Sequence, residues 1–431
     1  MELSCSCQPS SPTREAHMKL TLRQQITQFA HVLQASLFPT LQAELGELNA
    51  PAKRLVSVLE MIPLARFIPC SRGWVGRPSK DRLAIACAFV AKAVYGFSTT
   101  RALLEALSQD ALLRKICGWS EVWQVPHEAT FSRAFDEFAQ MQLPALVHEA
   151  LIRETQSDRL IGHIARDATA IEAREHFPET ASQKTERLAP RKAKLKEERK
   201  RAREQARIAH PGVAQPRRKP GPRGPHPRYA GGKRPYVPPP DTRLQRQRSM
   251  NLSEMLEELP KQCDIGAKKN SQGNTQYWRG YKLHLDVADG QIPISAVLTS
   301  ASVHDSQVAI PLATMTSQRV TYCYELMDAA YDAHHIREQS RNLGHVPIID
   351  PHQHTSKQLP FQATGARELA PAQQQRYRER TMVERVNARI KDEFGARNIR
   401  VRGHAKIMTH LMFGILALTV DQLLRLVVSR V

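Results

Sequence analysis

Residues 281–298 read YKLHLDVADGQIPISAVL. Tyr281, Leu283, Leu285 and Val287 alternate with Lys282, His284 and Asp286, a period of two that fits an extended strand. Ala288-Asp289-Gly290 supplies turn residues, and Ile292, Ile294, Ala296 and Leu298 alternate on the way back, so the stretch predicts a β-hairpin. Upstream, Leu160–Ile171 (LIGHIARDATAI) has strand character. Downstream come a strand at Val320–Met327, a short one at Val346–Ile349 and a helix at Arg376–Phe394.

Strand, hairpin, strand, short strand and helix is an order compatible with an α/β domain of ribonuclease-H type built on a mixed sheet, placed here at residues 159–431. Residues 19–158 read differently. Apolar positions recur at three and four, and Asp81–Tyr95, Thr99–Leu107 and Ala129–Phe138 each have a polar or capping residue at or before their start. Gly96, Gly118 and Pro126 mark turns between them, so this part predicts an all-α domain. Residues 1–18 are polar and rich in Ser and Pro, an expected disordered start with Met18 as a second candidate initiator.

The chain of 431 residues carries 62 Lys and Arg against 42 Asp and Glu, a formal net charge of +20. Such an excess fits a polyanionic partner, nucleic acid first, although a merely basic surface has the same composition. Most of it is local. Between Lys184 and Arg248 lie 21 Lys and Arg, five Asp and Glu and 11 of the 28 prolines. The segment cannot bury enough apolar surface to fold alone, which predicts a disordered basic insertion at 184–248 within the α/β domain.

Seven scattered cysteines give no disulfide framework and no paired metal knuckle. No apolar signal run opens the sequence. The most apolar stretch, Leu411–Val428, contains Asp421, Gln422 and Arg425, so it reads as a buried helix and not a membrane span. The expectation is a cytoplasmic protein without a membrane partner.

Two-metal phosphodiester chemistry needs carboxylates from different elements converging on one point. Asp167 sits inside a strand-like segment, where a buried charge is costly without a metal or partner. Asp328 ends the strand YCYELMD, at the carboxyl edge where α/β sheets place ligand groups. Each acid alone reads equally well as a cap or surface group. Tyr377, Arg380, Glu384 and Lys391 fall at about 0°, −60°, −20° and −40° on a helix of roughly 100° per residue. That stripe sets one carboxylate between two cations and a phenol, with Met382, Val383, Val386 and Ile390 as an apolar back. It also reads as a solvated, salt-bridged face, which most such charge runs are.

Tyr-x2-Arg-x3-Glu-x6-Lys (Tyr377, Arg380, Glu384, Lys391) resembles the YREK pattern of DDE transposases of the insertion-sequence-four-like group. Asp328-Ala329-Ala330-Tyr331 and Asp167-Ala168-Thr169 resemble the surroundings of the second and first carboxylates of that family. GRPSKDRLAIACAFVAKAVYGFSTTRALLEAL, followed by HEATFSRAF, is similar to the helical N-terminal domain of insertion-sequence-five-type transposases. The resemblance implies DNA transposition: Mg²⁺-dependent cleavage at transposon ends and strand transfer into target DNA. Asp167, Asp328 and Glu384 would be the catalytic and metal-binding residues for two Mg²⁺ ions, replaceable by Mn²⁺. Tyr377, Arg380 and Lys391 would contact DNA. Ser132 and Arg133, at the start of the Thr130–Phe138 helix, are the expected groove-facing residues. The implied partners are terminal inverted repeats and target duplex, handled by a homodimer in the nucleoid.

Other readings carry less. His334, His335, His345, His352 and His354 cluster without an HxxxH pair, a poor pattern for structural zinc. Asp305, Asp332 and Asp350 are alternative carboxylates. A tyrosine recombinase would need a His near Tyr377, and none is there. A catalytically silent, transposase-derived DNA-binding regulator is the non-enzymatic alternative, and three retained carboxylates argue against it.

Overall fold

A computed structural model describes residues 21–68, 80–175, 242–269, 273–351 and 369–428, together with 196–198, 201 and 205. The expected disordered start, nearly all of the basic insertion, His352 and His354 lie outside the described residues. Residues 1–175 with 241–431 form one unit and 176–240 a second.

The first part of the larger unit is helical. Helices α1 (Leu22–Val32), α2 (Ala50–Met61), α3 (Arg82–Val94), α4 (Thr100–Gln109), α5 (Glu128–Gln140) and α6 (Leu143–Gln156) follow in order. The starts of α3 and α4 obey the expected capping chemistry. The Asp81 carboxylate accepts from the Leu83 and Ala84 amides, and Thr99 Oγ1 accepts from Ala102, satisfying donors that the first helical turn leaves free.

The sheet is mixed. Its strands are β1 (Leu160–Glu172), β2 (Asp264–Lys269), β3 (Thr275–Ala288), β4 (Ile292–Ser300), β5 (Thr321–Met327) and β6 (Val346–Ile349). They lie in the order β2-β3-β1-β5-β6, with β4 also on β3. β1 is antiparallel to β3 and parallel to β5, which is parallel to β6. At the crossing of β3 and β1 a Cβ on Gly280 would come within 2.1 Å of the Ile171 carbonyl oxygen, so only glycine fits there.

Further helices include α7 (Arg243–Gln247), α8 (Ser306–Ser317), α9 (His334–Asn342), α10 (Thr381–Asp392) and α11 (His404–Val428). α7 falls within the stretch read from sequence as insertion. Its Gln247 is fully buried and donates to the Gln307 carbonyl at 2.9 Å. α8 packs on β3 and β4, and α10 on β1 and β3. Met382, Val383, Val386 and Ile390 of α10 are buried, as its pattern predicts.

The alternation along β3 does not mark a wet face. His284 and Asp286 are fully buried, because the sheet is covered on both sides and each polar group finds a partner. His284 Nε2 meets Thr299 Oγ1 at 2.9 Å, and burial holds the imidazole down at a pKa of about 4.

Among the described residues one helix, His404–Leu426, is long and apolar enough to cross a membrane, but 78% of its apolar window is buried inside the protein. Its Phe413 stacks on Phe89 of α3 at 5.8 Å and approaches Phe135 of α5 at 6.4 Å. The N-terminal helices and the sheet therefore share one continuous apolar core through α11.

Candidate active site

β1 and β5 run side by side, and Ala165–Leu326 is the last pair of their register. Two residues further along each chain stand Asp167 and Asp328. Asp167 is in mid-strand opposite Leu285 of β3. Asp328 follows β5, caps the 3₁₀ turn Ala329–Tyr331 and accepts from the Ala330 amide at 3.0 Å.

Glu384 arrives on α10 and joins them through Arg380, with which it forms an ion pair four residues apart. Arg380 Nη1 is also 4.0 Å from Asp167 Oδ1. Burial alone would lower the Arg380 pKa, yet Tyr377, Asp167, Glu384 and Asp328 together raise it. One guanidinium thus feels all three expected carboxylates. Its Nη1 is buried without a hydrogen-bond partner.

Burial pushes the Asp167 carboxyl up to about 6, with Arg380 offsetting part of the effect and Asp328 adding to it. Burial raises Asp328 too. The Glu384 side chain is half exposed, at the open side of the group. Burial raises the phenol of Tyr377, which lies with its ring 5.9 Å from the Arg380 guanidinium carbon. Lys391 is lowered by burial, by Arg397 and by Lys268.

The expected single helix Arg376–Phe394 is interrupted. Pro371–Tyr377 is α-helical, Arg378–Arg380 is a 3₁₀ turn, and α10 begins at Thr381. At three residues per turn, positions three apart eclipse instead of diverging, which suits Arg380 lying against Tyr377.

Two features escaped the sequence reading. Asn387 Nδ2 donates to Asp167 Oδ2 at 3.2 Å. Its position three residues after Glu384, one helical turn along the same face, was the available signal. The second is a fully buried ionic group behind the site. Arg166 forks onto Asp286 with two contacts of 2.8 Å and reaches Glu325 at 3.4 Å. Thr316 donates to Asp286, and Tyr322 and Ser340 donate to Glu325. Burial alone would raise Glu325, but Arg166, Ser340 and Tyr322 hold it below the usual carboxylate range.

Two of the three alternative carboxylates are otherwise engaged. Asp305 pairs with Lys282 at 2.9 Å and Asp332 with Arg337 at 2.9 Å. Asp350 is exposed after β6. The ligand atoms of His334, His335 and Glu338 lie within 4.8 Å of one another. Glu338 there pairs with Arg248 at 2.7 Å, and His334 Nδ1 lies 3.5 Å from the Glu338 carboxylate. On α5, Ser132 and Arg133 are exposed, while Phe131, Ala134, Phe135 and Phe138 face the core.

Comparison with known families gives the class. Residues 245–420 match the family described as Transposase DDE domain, and residues 43–137 match one described as Transposase domain (DUF772). The chain belongs to the DDE transposases of insertion sequences, and transposition is its function. No curated protein and no solved structure matches it. Asp328, Tyr377, Arg380, Glu384 and Lys391 lie within the first match, and Ser132 and Arg133 within the second. Asp167 falls between the two, cut off from the rest of its domain by the basic insertion.

Proposed function

We propose that Asp167, Asp328 and Glu384 form the catalytic centre of a ribonuclease-H-like domain that cleaves DNA at transposon ends and transfers the strand to a target. The observation that carries this reading is the placement of three carboxylates, from two parallel strands and a helix, around the Arg380 guanidinium.

The donor set fits a divalent metal. Asp167 and Asp328 are hard oxygen donors raised by burial, a sign that the described partners leave their charge undercompensated. Asp167, Asp328 and Glu384 would hold Mg²⁺ or Mn²⁺ as an all-oxygen site. A metal pair so held supplies an activated attacking oxygen and stabilisation of the leaving oxygen.

The chain's own residues do the rest. Asn387 fixes the rotamer of Asp167 by its hydrogen bond. The buried, unpartnered Nη1 of Arg380 offers a donor to a phosphate oxygen beside the acids. Tyr377 lies against Arg380, and Lys391 follows Glu384 by seven residues on α10; both suit further phosphate contacts. The helical region 19–158 would bind the terminal repeats through Ser132 and Arg133, in a homodimer of the insertion-sequence-four-like YREK kind.

The deciding experiment is Mg²⁺-dependent cleavage of duplexes carrying the element's terminal inverted repeats. Asp167→Asn, Asp328→Asn and Glu384→Gln should each abolish cutting while the folded protein still binds DNA. Cutting retained by any of the three overturns the assignment. Binding without cutting by the unaltered chain would support a silent regulator.

A further inference from the structure

His163 of β1 and Tyr324 of β5 are partners in the parallel pair, two positions before Ala165 and Leu326 and four before Asp167 and Asp328. Side chains alternate between the faces of a strand, so both point to the face that carries the two acids. There the imidazole stacks on the phenol, with ring centroids 5.5 Å apart and planes inclined by 25°. Asp289 of the hairpin turn fixes the histidine. It accepts from the Gly162 and His163 amides at 2.8 and 3.0 Å and lies 3.0 Å from His163 Nδ1.

Arg376 also lies over the Tyr324 ring, its guanidinium carbon 4.3 Å from the centroid. It stands near the end of the Pro371–Tyr377 helix, immediately before Tyr377, and is exposed. No described residue forms an ion pair or a side-chain hydrogen bond with it, and that includes Glu379, three residues further along. A guanidinium laid on an aromatic ring keeps its N–H donors in its own plane, at the edge, where they match the oxygens of an anion. In a chain whose function is DNA transposition, the anion that meets such an edge is a backbone phosphate.

We infer that Arg376, positioned by Tyr324 and His163, grips a DNA backbone phosphate about four nucleotides from the scissile bond. The spacing follows from the strands: four residues span about 13 Å, and one strand of B-DNA advances about 3.4 Å per nucleotide. The inference rests on the catalytic reading above for the place of the scissile bond. It adds a DNA contact outside the Tyr-Arg-Glu-Lys pattern. Tyr324 acts as a positioning residue, limiting the directions the guanidinium can take without itself bringing charge to the DNA.

The test uses the full chain carrying Glu384→Gln, so that binding is read without cutting, on end duplexes across a salt series. Adding Arg376→Ala should make the log K against log salt slope shallower by about 0.9, the loss of one phosphate contact. Arg376→Gln, which keeps most of the side chain's length, should give the same change. Arg376→Lys should keep the slope and bind more weakly, since an ammonium retains the charge and not the planar fork. Tyr324→Leu, which leaves every charge in place, should weaken binding with the slope unchanged. End duplexes that each carry one neutral methylphosphonate then locate the contact. Neutralising the link about four nucleotides from the cut should weaken binding by the chain with Arg376 and leave Arg376→Ala unaffected. An unchanged slope in Arg376→Ala and Arg376→Gln reduces the stack to a clamp on its helix and overturns the inference. So does Tyr324→Leu binding as tightly as its parent, or a methylphosphonate series in which no position distinguishes the two chains. If the unaltered chain binds ends but never cuts in Mg²⁺ or Mn²⁺, the catalytic reading fails, and the slope and the series still decide the Arg376 contact separately.

Discussion

Asp167 and Asp328 lie at matching levels of two adjacent parallel strands, each two residues beyond the Ala165–Leu326 pair. Their spacing is set by the β1–β5 register, and a one-residue slip of either strand would turn its acid to the opposite face of the sheet. The electrostatic cost of that placement is measurable. Asp167 rises from 3.8 to about 6 because burial penalises its charge. A folded value above the unfolded one favours the protonated acid. The contribution is therefore complete below about pH 4 and disappears as pH rises through about 6. In EDTA, Asp167→Asn should lose less thermal stability than the unaltered chain between those two limits. Mg²⁺ should stabilise the unaltered chain above pH 6 and leave the variant unmoved. Parallel melting curves for the two proteins would refute the burial argument.

Asn387 makes a second, local prediction. Removing its amide leaves Asp167 without the 3.2 Å donor that orients it. Asn387→Ala should slow cleavage by about tenfold, a loss of roughly 1.4 kcal/mol, with end binding intact. Asn387→Asp would set another carboxylate against Asp167 and should raise the Mg²⁺ concentration needed for half-maximal activity. A normal Mg²⁺ response in that variant would remove Asn387 from the site.

Arg166 is adjacent to Asp167 in sequence but points to the other face, into a group with no access to solvent. Arg166→Met leaves Asp286 and Glu325 as two buried acids without a counter-charge. Breaking a buried pair by deleting one partner typically costs about 3–5 kcal/mol. Denaturant unfolding should show a loss of that order at neutral pH, smaller at low pH where the acids protonate. A loss under about 1 kcal/mol would mean that the network relaxes or admits water.

Much of this was legible in the residues. The hairpin around Asp289, the strand ending at Met327 and the buried side of α10 follow from periodicity alone. The break at Arg378–Arg380 did not, because nothing in local pattern separates a 3₁₀ turn from a helix that continues on both sides. Burial of His284 and Asp286 was hidden for another reason. Alternation reports chemical contrast between two faces of a strand, and a covered face can carry polar groups when α8, Arg166 and Thr299 satisfy them. Asp167 and Asp328, 161 positions apart, are joined by pairing between β1 and β5, which no local window contains.

Arg133 offers a test of end recognition that leaves the fold alone. It is exposed on α5, with its Nε on the Ala129 carbonyl at 3.2 Å. Arg133→Ala should lower discrimination between end and random duplex by about 1–3 kcal/mol if it reads a base edge. Equal weakening on both duplexes would make it a phosphate contact instead. Deleting the whole helical region would be a poor substitute, since α11 would lose the cover that Phe89 and Phe135 give Phe413.

The basic insertion should add sequence-independent affinity through phosphate contacts and counterion release. Its charge excess and its shortage of apolar residues suit an arm along DNA and not a reader of base edges. The structure decides where a deletion must stop. Gln247 is buried on the Gln307 carbonyl and Arg248 pairs with Glu338, so removal through Arg248 would damage the folded unit. Replacing residues 184–240 with a short Gly/Ser linker keeps both contacts. The shortened chain should bind every duplex more weakly, with a shallower log K against log salt slope and an unchanged ratio of end to random affinity. An unchanged slope would mean that the insertion never touches phosphate. A changed ratio would give it a part in recognition, against the phosphate-only role its composition implies.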